Sequence, residues 1–242
     1  MALHFLVESS TEARVDDLVS LTGAEAKHAA VVRRLRVGEA VTVGDGAGVW
    51  LTGVAEEVSP ARVEVRVAER TEHPAPTPRV VLVQALAKGD RDELAVQAAC
   101  ELGVDEIVPW QAGRSVSRWE GPKAVKGRER WATIVREAAK QAHRAWLPSV
   151  AAPVTTAQLA ERAASQRVLL LDPTAPVRLS EIEPDGRDLV LVVGPEGGIS
   201  DEELRRLTEA GAERVLLGET VLRTSTAGPA AIAVLSVALG RW

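Results

Sequence analysis

The sequence has little of what metal centres, disulfides and membrane helices require. One cysteine, Cys100, stands among its 242 residues, which excludes an intramolecular disulfide and a thiolate metal cluster. The four histidines are scattered without zinc-like spacing, so no metal site is predicted. No segment reaches the roughly 18–20 apolar residues of a membrane helix, and the N-terminus lacks the basic leader of a signal peptide. We therefore expect a cytoplasmic protein with no membrane partner.

Several ligand-binding motifs are also missing. The chain has no G-x-x-x-x-G-K-[ST] segment, which excludes a P-loop, and no G-x-S-x-G elbow, which disfavours an α/β-hydrolase. Its glycine-rich segment at 194–198 does not follow G-x-G-x-x-G, so a dinucleotide-binding fold is disfavoured. With 46% apolar and 26% charged residues, the composition is that of an ordinary globular protein with a packed core.

The charge of the chain is unevenly distributed. A net charge of −5 argues against tight binding to bulk RNA, because cations must displace counterions from the phosphates. Between Arg114 and Arg144, however, nine Lys/Arg stand against three Glu. An RNA contact of an acidic protein is expected at such a local patch. Charge alone favours a solvated helix face equally, so the patch by itself assigns no partner.

The N-terminal part of the chain is predicted to be a small β-rich barrel or sandwich. Val41–Val43 and Val49–Leu51 flank an Asp-Gly turn of the kind found in hairpins. Apolar and charged residues alternate over Ala61–Ala68, which indicates a strand with one buried face. One helix, over Gly23–Arg34, is predicted to interrupt the strands.

A proline-rich connector, His73–Pro78, ends this pattern and predicts domains of residues 1–73 and 79–242. Beyond it, segments typical of strands and helices alternate, which favours an α/β domain around a mainly parallel sheet. Val80–Leu86 is an apolar run broken only by Gln84, as in a strand covered on both faces. Four further strands are predicted, at residues 105–110, 168–171, 189–193 and 215–217.

The helices of the second domain are predicted from periodicity and capping. Apolar spacing indicates an amphipathic helix over Trp131–Trp146 and an apolar helix over Ala230–Leu239. Ser200 and Glu203 have the spacing of a capping box at the start of a third helix, which Gly211 ends.

Two predicted strands end in segments that suit a ligand. Gly194–Gly198, of sequence G-P-E-G-G, follows one strand, and glycine lets a backbone approach a ligand closely. Leu217–Gly228 follows the other strand and precedes the last helix. In parallel α/β sheets, ligands bind beyond the carboxyl ends of the strands. Either segment alone is also compatible with an ordinary strand-to-helix turn.

Together these two segments resemble the C-terminal signature of the SPOUT methyltransferases, G-P-E-G-G at one strand end and L-G-x-x-x-L-R-T-x-T-A at the next. More specifically, the chain resembles the RsmE family, the 16S ribosomal RNA uridine N3-methyltransferases. The segment His28–Gly38 is similar to the PUA-like RNA-binding domain of that family. Gln84–Asp90, Glu101–Val104 and Glu137–Gln141 are similar to its catalytic domain, so the resemblance covers nearly the whole chain.

The resemblance implies an α/β fold with a SPOUT-type C-terminal trefoil knot, preceded by a small β-rich PUA-like domain, and a homodimer. It implies S-adenosylmethionine as the methyl donor, bent within the knot and held mostly by backbone groups. It also implies transfer to N3 of uridine 1498 of 16S ribosomal RNA, near the decoding region of the small ribosomal subunit. Carried over residue by residue, the donor pocket comprises Leu171, Gly194, Glu196, Gly197, Leu217, Gly218, Leu222 and Arg223.

Arg223 is the first candidate for a catalytic group, because a cation beside the donor would stabilise the uracil anion as N3 loses its proton. A salt bridge within the knot is the structural alternative for this residue. Arg136 and Gln141 are further candidates for holding the target base. The candidates for RNA contacts are Arg34, Arg36, Arg114, Arg118 and Arg144.

One position departs from the family pattern, because Ser225 stands where many relatives have glutamate. We interpret that glutamate as a replaceable helix-capping group, since serine caps helices too. The sequence therefore identifies no general base. Three tryptophans of the basic segment are candidates for stacking on unpaired bases, although core packing is the commoner role of this residue: Trp119, Trp131 and Trp146.

Three functions remain open from the sequence. The first is a ribosomal RNA uridine N3-methyltransferase, and the second is a SPOUT methyltransferase that acts on another RNA, such as a transfer RNA. The third is a non-catalytic RNA-binding or assembly factor that kept the fold and lost turnover. An acidic protein with local basic surfaces suits a structured target, such as an assembled small ribosomal subunit, better than loose RNA.

Overall fold

A computed structural model describes residues 2–7 and 12–242, which fall into two compact units. Unit 1 comprises Met1–Ala75 and Ala139–Leu147, and unit 2 comprises Pro76–Ala138 and Pro148–Trp242. The boundary at 75/76 lies inside the proline-rich connector. The segment 139–147 clusters with unit 1, although the sequence assigns it to the second domain, because a linear reading cannot show a segment that returns to an earlier unit.

Unit 1 is built on a five-stranded mixed sheet with the strand order β1-β3-β4-β5-β2. β1 pairs with β3 in parallel, and the other pairs are antiparallel. A short helix continues into a π-helical turn at His28–Val32. The alternation predicted on β5 buries Val63, Val65 and Val67 in the core of this unit. The elements are β1 (Leu3–Leu6), β2 (Leu18–Thr22), α1 (Gly23–Lys27), β3 (Ala40–Gly44), β4 (Val49–Val58) and β5 (Arg62–Glu72).

Unit 2 is an α/β domain around a seven-stranded parallel sheet, as the alternation of elements predicts. Its strand order is β10-β12-β9-β11-β6-β7-β8, and every pair is parallel. All five residues of β11 are buried, since the strand lies between β9 and β6. The strands are β6 (Val80–Ala85), β7 (Glu106–Trp110), β8 (Ser149–Val150), β9 (Arg167–Leu171), β10 (Val177–Arg178), β11 (Leu189–Val193) and β12 (Glu213–Leu216).

Four helices and one short turn connect these strands, and a fifth helix, α6, follows the last strand. They are α2 (Arg91–Glu101), α3 (Pro122–Gln141), α4 (Thr156–Arg162), a 3₁₀ turn (Leu179–Glu181), α5 (Asp201–Glu209) and α6 (Thr224–Ala238). α5 begins with the capping box of Ser200 and Glu203, as predicted. α6 packs closely on the sheet, because a Cβ at Gly228 would lie 2.9 Å from Cδ1 of Leu82. No helix of the described residues combines the length and apolarity needed to cross a membrane.

Three predicted helix boundaries are wrong, two of them on α3 and one on α6. α3 begins at Pro122 rather than Trp131, since proline suits the first helical position and the residues that follow are good helix formers. It ends at Gln141 rather than Trp146, and His143 turns the chain with a φ of +53°. α6 begins at Thr224 rather than Ala230, because packing on the sheet overrides the weak helix propensity of this segment.

Candidate active site

The carboxyl edge of the unit 2 sheet opens on a cavity of about 600 Å³, which we call the donor cavity. Its wall is formed by Leu171–Thr174 after β9, by Val193–Glu196 after β11 and by Val221–Thr224 before α6. Arg91, Gly198, Ile199, the start of α5 and Ala227 also belong to the lining. The volume lies within the range of about 300–1,000 Å³ that small-molecule sites occupy.

The glycines of the turn after β11 serve different purposes. Gly198 has a φ of +71°, in the left-handed region that favours glycine. A Cβ at Gly194 would lie 2.8 Å from Cγ1 and 3.1 Å from the backbone nitrogen of Ile199, so this position is too crowded for a side chain. Next to Gly197, the Arg114 guanidinium donates to the carbonyl oxygens of Gly197 at 3.0 Å and Ile199 at 3.4 Å. The close packing at Gly194 and the hydrogen bonds from Arg114 therefore fix the conformation of this turn.

Thr224, the first residue of α6, joins the two segments that the sequence pairs. Its buried hydroxyl donates to the carbonyl oxygen of Gly194 at 3.0 Å and accepts from the Gln84 amide at 2.9 Å. Gln84 is fully buried near the end of β6, which explains the one polar residue in an otherwise apolar strand. The ends of β6 and β11 and the start of α6 are thus linked by side-chain hydrogen bonds at the cavity.

The carboxylate of Glu196 forms a second set of hydrogen bonds in the wall of the donor cavity. It accepts from the Lys88 amide at 3.1 Å and from the Arg91 guanidinium at 2.9 Å. Burial alone would raise the pKa of Glu196, but the hydrogen bonds from its own amide, from Lys88 and from Arg91 together lower it. Glu196 is therefore ionised near neutral pH.

Two further carboxylates stabilise the loops around the cavity. Asp172 accepts from the Arg214 guanidinium at 2.6 Å and from the Thr174 amide at 2.8 Å. Burial opposes ionisation of Asp172, but these bonds outweigh it and lower its pKa. Glu203 accepts from the Gly113 amide at 2.8 Å as well as from its capping partner Ser200, which ties α5 to the segment after β7.

Arg223 lines the donor cavity as the residue that caps α6. Its carbonyl oxygen accepts from Thr226 and Ala227, which fixes the backbone, while the side chain is exposed. Among residues 2–7 and 12–242 its guanidinium has no hydrogen-bond or ion-pair partner. The salt bridge that is the structural alternative for this residue is therefore not formed within the described chain.

The structure brings together five of the eight residues expected in the donor pocket. Those that line the cavity are Leu171, Gly194, Glu196, Leu222 and Arg223. Gly197, Leu217 and Gly218 lie beside these residues in the chain but are not part of the lining. Arg136 lies half-buried on α3 in unit 2, and Gln141 lies exposed at the end of α3 in the segment that clusters with unit 1.

The residues expected to contact RNA lie in different settings. Arg34 and Arg36 are exposed in unit 1 beyond the π-helical turn, and Arg34 has a φ of +55°. Arg114 and Arg118 are exposed in unit 2, where their guanidinium groups donate to backbone carbonyl oxygens. Arg144 is half-buried in unit 1.

Burial reduces the number of groups in the basic segment that can meet a base or a phosphate. Trp131 is 1% exposed and meets Trp119 edge to face, with ring centroids 5.0 Å apart. The indole of Trp146 donates to the carbonyl oxygen of His73. Lys140 is buried and pairs with Glu25 at 3.0 Å. Trp131 and Lys140 therefore belong to the packed interior rather than to a surface patch.

Sequence reasoning missed Gln84, Arg91 and Thr224 as residues of the site. The signal for Gln84 was present, because a lone amide in a strand covered on both faces requires a buried partner. Thr224 was assigned to a loop, so its role as the first helical residue beside Gly194 could not be foreseen. Arg91 gives no signal in the sequence, since its partner Glu196 is more than a hundred residues away.

Comparison with protein families defines the class of this protein. The family model described as "RNA methyltransferase domain" matches residues 73–236, and the one described as "RNA methyltransferase PUA domain" matches residues 21–68. The first match covers all strands of unit 2 and the whole lining of the donor cavity. The fold, the cavity and this match make the protein an RNA methyltransferase.

Individual relatives define the family. A ribosomal RNA small subunit methyltransferase E of Mycobacterium tuberculosis is 44% identical over 226 residues, 91% of this chain and 86% of the relative. The protein of that name from Bacillus subtilis is 31% identical over 98% of this chain and 96% of its own length. A crystal structure of the Neisseria gonorrhoeae enzyme of that name, bound to S-adenosylmethionine, matches with a TM-score of 0.88 at 28% identity, covering 98% of both chains. The chain belongs to the ribosomal RNA small subunit methyltransferase E family, which confirms the resemblance seen in the sequence.

Proposed function

We propose that the donor cavity binds S-adenosylmethionine and that the protein transfers its methyl group to N3 of a uridine in 16S ribosomal RNA. The observation that carries this proposal is the meeting of Val193–Glu196 with Val221–Thr224 around one cavity. Membership of the family supports the small ribosomal subunit as the substrate. The atom and nucleotide, N3 of uridine 1498, follow from the sequence resemblance.

The charges around the cavity suit this donor. S-adenosylmethionine carries a sulfonium, an ammonium and a carboxylate, so it needs partners of both signs. Carboxylates favour its two cationic groups, and a guanidinium favours its carboxylate. The lining provides three carboxylates and two guanidinium groups, on Asp172, Glu196, Asp201, Arg91 and Arg223.

Backbone near the cavity is also open to a ligand. A Cβ at Gly218 would have no protein atom within 4 Å, and the φ of this residue lies outside the left-handed region. The packing and backbone of the protein therefore do not require glycine there, whereas a ligand that lies against the chain would. We assign backbone contacts with the donor to Gly218, to its neighbour Leu217 and to Gly197.

The bound donor supplies an electrophilic methyl group on a sulfonium centre. The chain must align N3 of the uracil with that methyl, and such alignment is worth roughly 7–11 kcal/mol in intramolecular analogues. It must also stabilise the negative charge that develops on the uracil oxygens as N3 loses its proton. We assign this second role to Arg223, which lines the cavity and whose guanidinium has no hydrogen-bond or ion-pair partner among the described residues. A role for Arg136 and Gln141 in holding the target base stays a prediction.

We assign RNA binding outside the cavity to two surfaces. One is the PUA-like domain of residues 1–73, where Arg34 and Arg36 are exposed and suit phosphate contacts. The other is the set of Arg114, Arg118 and Arg144 around the basic segment. We also propose that residues 79–242 form the methyltransferase domain with a C-terminal trefoil knot, and that two copies of the chain associate as a homodimer.

Two measurements test the proposed function. Isothermal titration of the protein with S-adenosylmethionine is expected to show one saturable site per chain, and absent binding would favour a non-catalytic assembly factor. Deletion of the gene followed by nucleoside mass spectrometry of 16S RNA is expected to remove N3-methyluridine. Retained N3-methyluridine in 16S RNA, together with a methyl group lost from transfer RNA, would favour the other RNA substrate.

A further inference from the structure

Unit 2 contains a second cavity of about 260 Å³, which we call the indole cavity. Its lining comprises Ala87–Gly89, the acidic residues Asp92 and Glu93 at the start of α2, and Val116, Ser117, Trp119 and Trp131. This volume is just below the usual range for whole small-molecule ligands, about 300–1,000 Å³. The size suits a single heterocyclic ring better than a complete cofactor.

The indole cavity and the donor cavity are lined by neighbouring residues of one short segment. The amide of Lys88, which lines the indole cavity, donates to the Glu196 carboxylate at 3.1 Å, and Glu196 lines the donor cavity. Arg91, three residues on, lines the donor cavity and binds the same carboxylate at 2.9 Å. Residues 87–93 therefore line both cavities, which places the two next to each other.

The aromatic wall of the indole cavity is fixed in place. A Cβ at Gly127 of α3 would lie 2.6 Å from the Trp119 ring, so the indole lies directly against the helix backbone. The Trp119 amide donates to the Gln111 side chain at 2.9 Å, and its ring meets buried Trp131 edge to face. A half-buried aromatic ring held in this way is a platform on which an unpaired base stacks.

The lining of the indole cavity also includes a cation, Lys88. Lys88 is exposed, and within residues 2–7 and 12–242 its ammonium group has no hydrogen-bond or ion-pair partner. Its backbone amide donates to the Glu196 carboxylate. The amide of the preceding residue, Ala87, donates to the buried carboxylate of Asp92 at 3.1 Å. The backbone of Lys88 is therefore fixed, while its ammonium group is available to a ligand.

We propose that the indole cavity receives the target uracil ring, which stacks on Trp119 while the Lys88 ammonium binds a ring carbonyl oxygen. This inference rests on the proposed function. The proton of N3 leaves to solvent, the N3 electron pair forms the bond to the methyl carbon, and the sulfur–carbon bond breaks with its electron pair retained by sulfur. The Lys88 charge stabilises the oxygen on which the negative charge of the deprotonated ring accumulates.

The same arrangement explains a preference for uracil over cytosine. Uracil presents carbonyl oxygens on both sides of N3, and both become more negative when N3 is deprotonated. Cytosine places an amino group on one side and carries no proton at N3 in its neutral form, so a cation there gains no developing charge to stabilise. Lys88 is thus a residue that both accelerates the reaction and selects the base.

The test compares Lys88→Gln and Lys88→Arg with the wild type in the full chain. Arg205→Gln is the matched control, because Arg205 is also an exposed cation of unit 2, lies on α5 outside the basic segment and does not line either cavity. Titration with S-adenosylmethionine and methylation of small ribosomal subunits from a deletion strain are measured for each. Lys88→Gln is expected to bind the donor normally and to lose about 100-fold or more in kcat, the cost of removing one oxyanion partner. Lys88→Arg is expected to recover part of that loss, and the control to keep its kcat.

The pH profile gives a readout that a merely structural role would not change. Without the ammonium group the bound uracil is less acidic. The rise of kcat with pH is therefore expected to continue to a higher pH in Lys88→Gln than in the wild type. Normal kcat in Lys88→Gln, or loss of donor binding equal to its loss of kcat, would overturn the assignment. If the wild type itself neither binds the donor nor forms N3-methyluridine, the proposed function fails and this inference with it.

Discussion

The hydroxyl of Thr224 lies 3.0 Å from the carbonyl oxygen of Gly194 and donates to it, which joins two segments thirty residues apart in the chain. Each segment follows a different strand, and each is an ordinary turn when considered alone. The hydrogen bond holds the two segments together at the donor cavity, which both of them line. Its removal should therefore affect the cavity more than the rest of the fold.

We predict that Thr224→Val weakens donor binding and destabilises unit 2. The substitution leaves the Gly194 carbonyl and the Gln84 amide without their partner, and an unsatisfied buried polar group costs about 1–3 kcal/mol. Urea unfolding and titration with S-adenosylmethionine measure the two effects. Thr224→Ser keeps the hydroxyl and serves as the control. Equal affinity and stability in all three proteins would show that the hydrogen bond is not needed.

A pair of glycine substitutions separates folding from ligand binding. Gly194→Ala introduces a Cβ 2.8 Å from Ile199, so we expect it to lower the free energy of unfolding by about 1–3 kcal/mol. Gly218→Ala meets no protein atom, so we expect unchanged stability and weaker donor binding. Thermal unfolding and calorimetric titration of both variants check this. Normal donor affinity in Gly218→Ala would remove that residue from the proposed donor contacts.

For Arg223 we expect that replacement by alanine abolishes methyl transfer and leaves the fold intact. The guanidinium has no partner in the described chain, so its loss removes no internal contact, while the transition state loses a cation. The circular dichroism spectrum and melting temperature should match those of the wild type. Arg205→Ala, at an exposed arginine of α5 that pairs with Glu209, is the control. Turnover close to that of the wild type would exclude Arg223 from the mechanism.

The stability of unit 1 should depend on pH through His4. Burial, then the nearby charges of His143 and Lys140, lower the pKa of His4 from 6.5 to about 4. Because the unfolded chain binds the proton more readily, the contribution is complete above pH 6.5 and is lost as the pH falls from 6.5 towards 4. Its full size is on the order of 3 kcal/mol.

Urea unfolding between pH 4.5 and 7.5 measures this loss. His4→Phe keeps a ring stacked on Trp50, which His4 meets at 4.1 Å, and should flatten the pH dependence. His73→Gln, at an exposed position, should leave it unchanged. A pH dependence of the same slope in His4→Phe and the wild type would contradict the prediction.

The sequence predicted the α/β sheet and the identity of the two cavity segments because each depends on local pattern. A buried parallel strand is a continuous apolar run, and G-P-E-G-G directly after β11 marks a strand end where the backbone can approach a ligand. Long-range partnerships could not be predicted in the same way. The bonds of Glu196 to Lys88 and Arg91 join positions over a hundred residues apart, and no periodicity encodes them.

The histidines show the same limit. Along the chain they are scattered, yet in unit 1 three of them surround one indole: Trp50 stacks on His4 and lies 6.2 Å from His143 and 6.3 Å from His73, measured between ring centroids. The expectation of no metal site came from spacing, which says nothing about such clustering. Among the described residues, no group of His, Cys, Asp or Glu has the arrangement of a metal site.

The position of β11 in the sheet has a consequence for hydrogen exchange and for the kinetics of the donor. Its amides lie between two neighbouring strands with every side chain buried, so they should exchange only when the sheet of unit 2 opens. Val221, which lines the donor cavity, and its neighbours 219 and 220 are exposed and belong to no helix or strand. The proposed donor site thus combines the end of a slowly exchanging strand with an exposed segment that should exchange rapidly, and we expect fluctuations of that segment, rather than of the sheet, to set how quickly spent donor leaves.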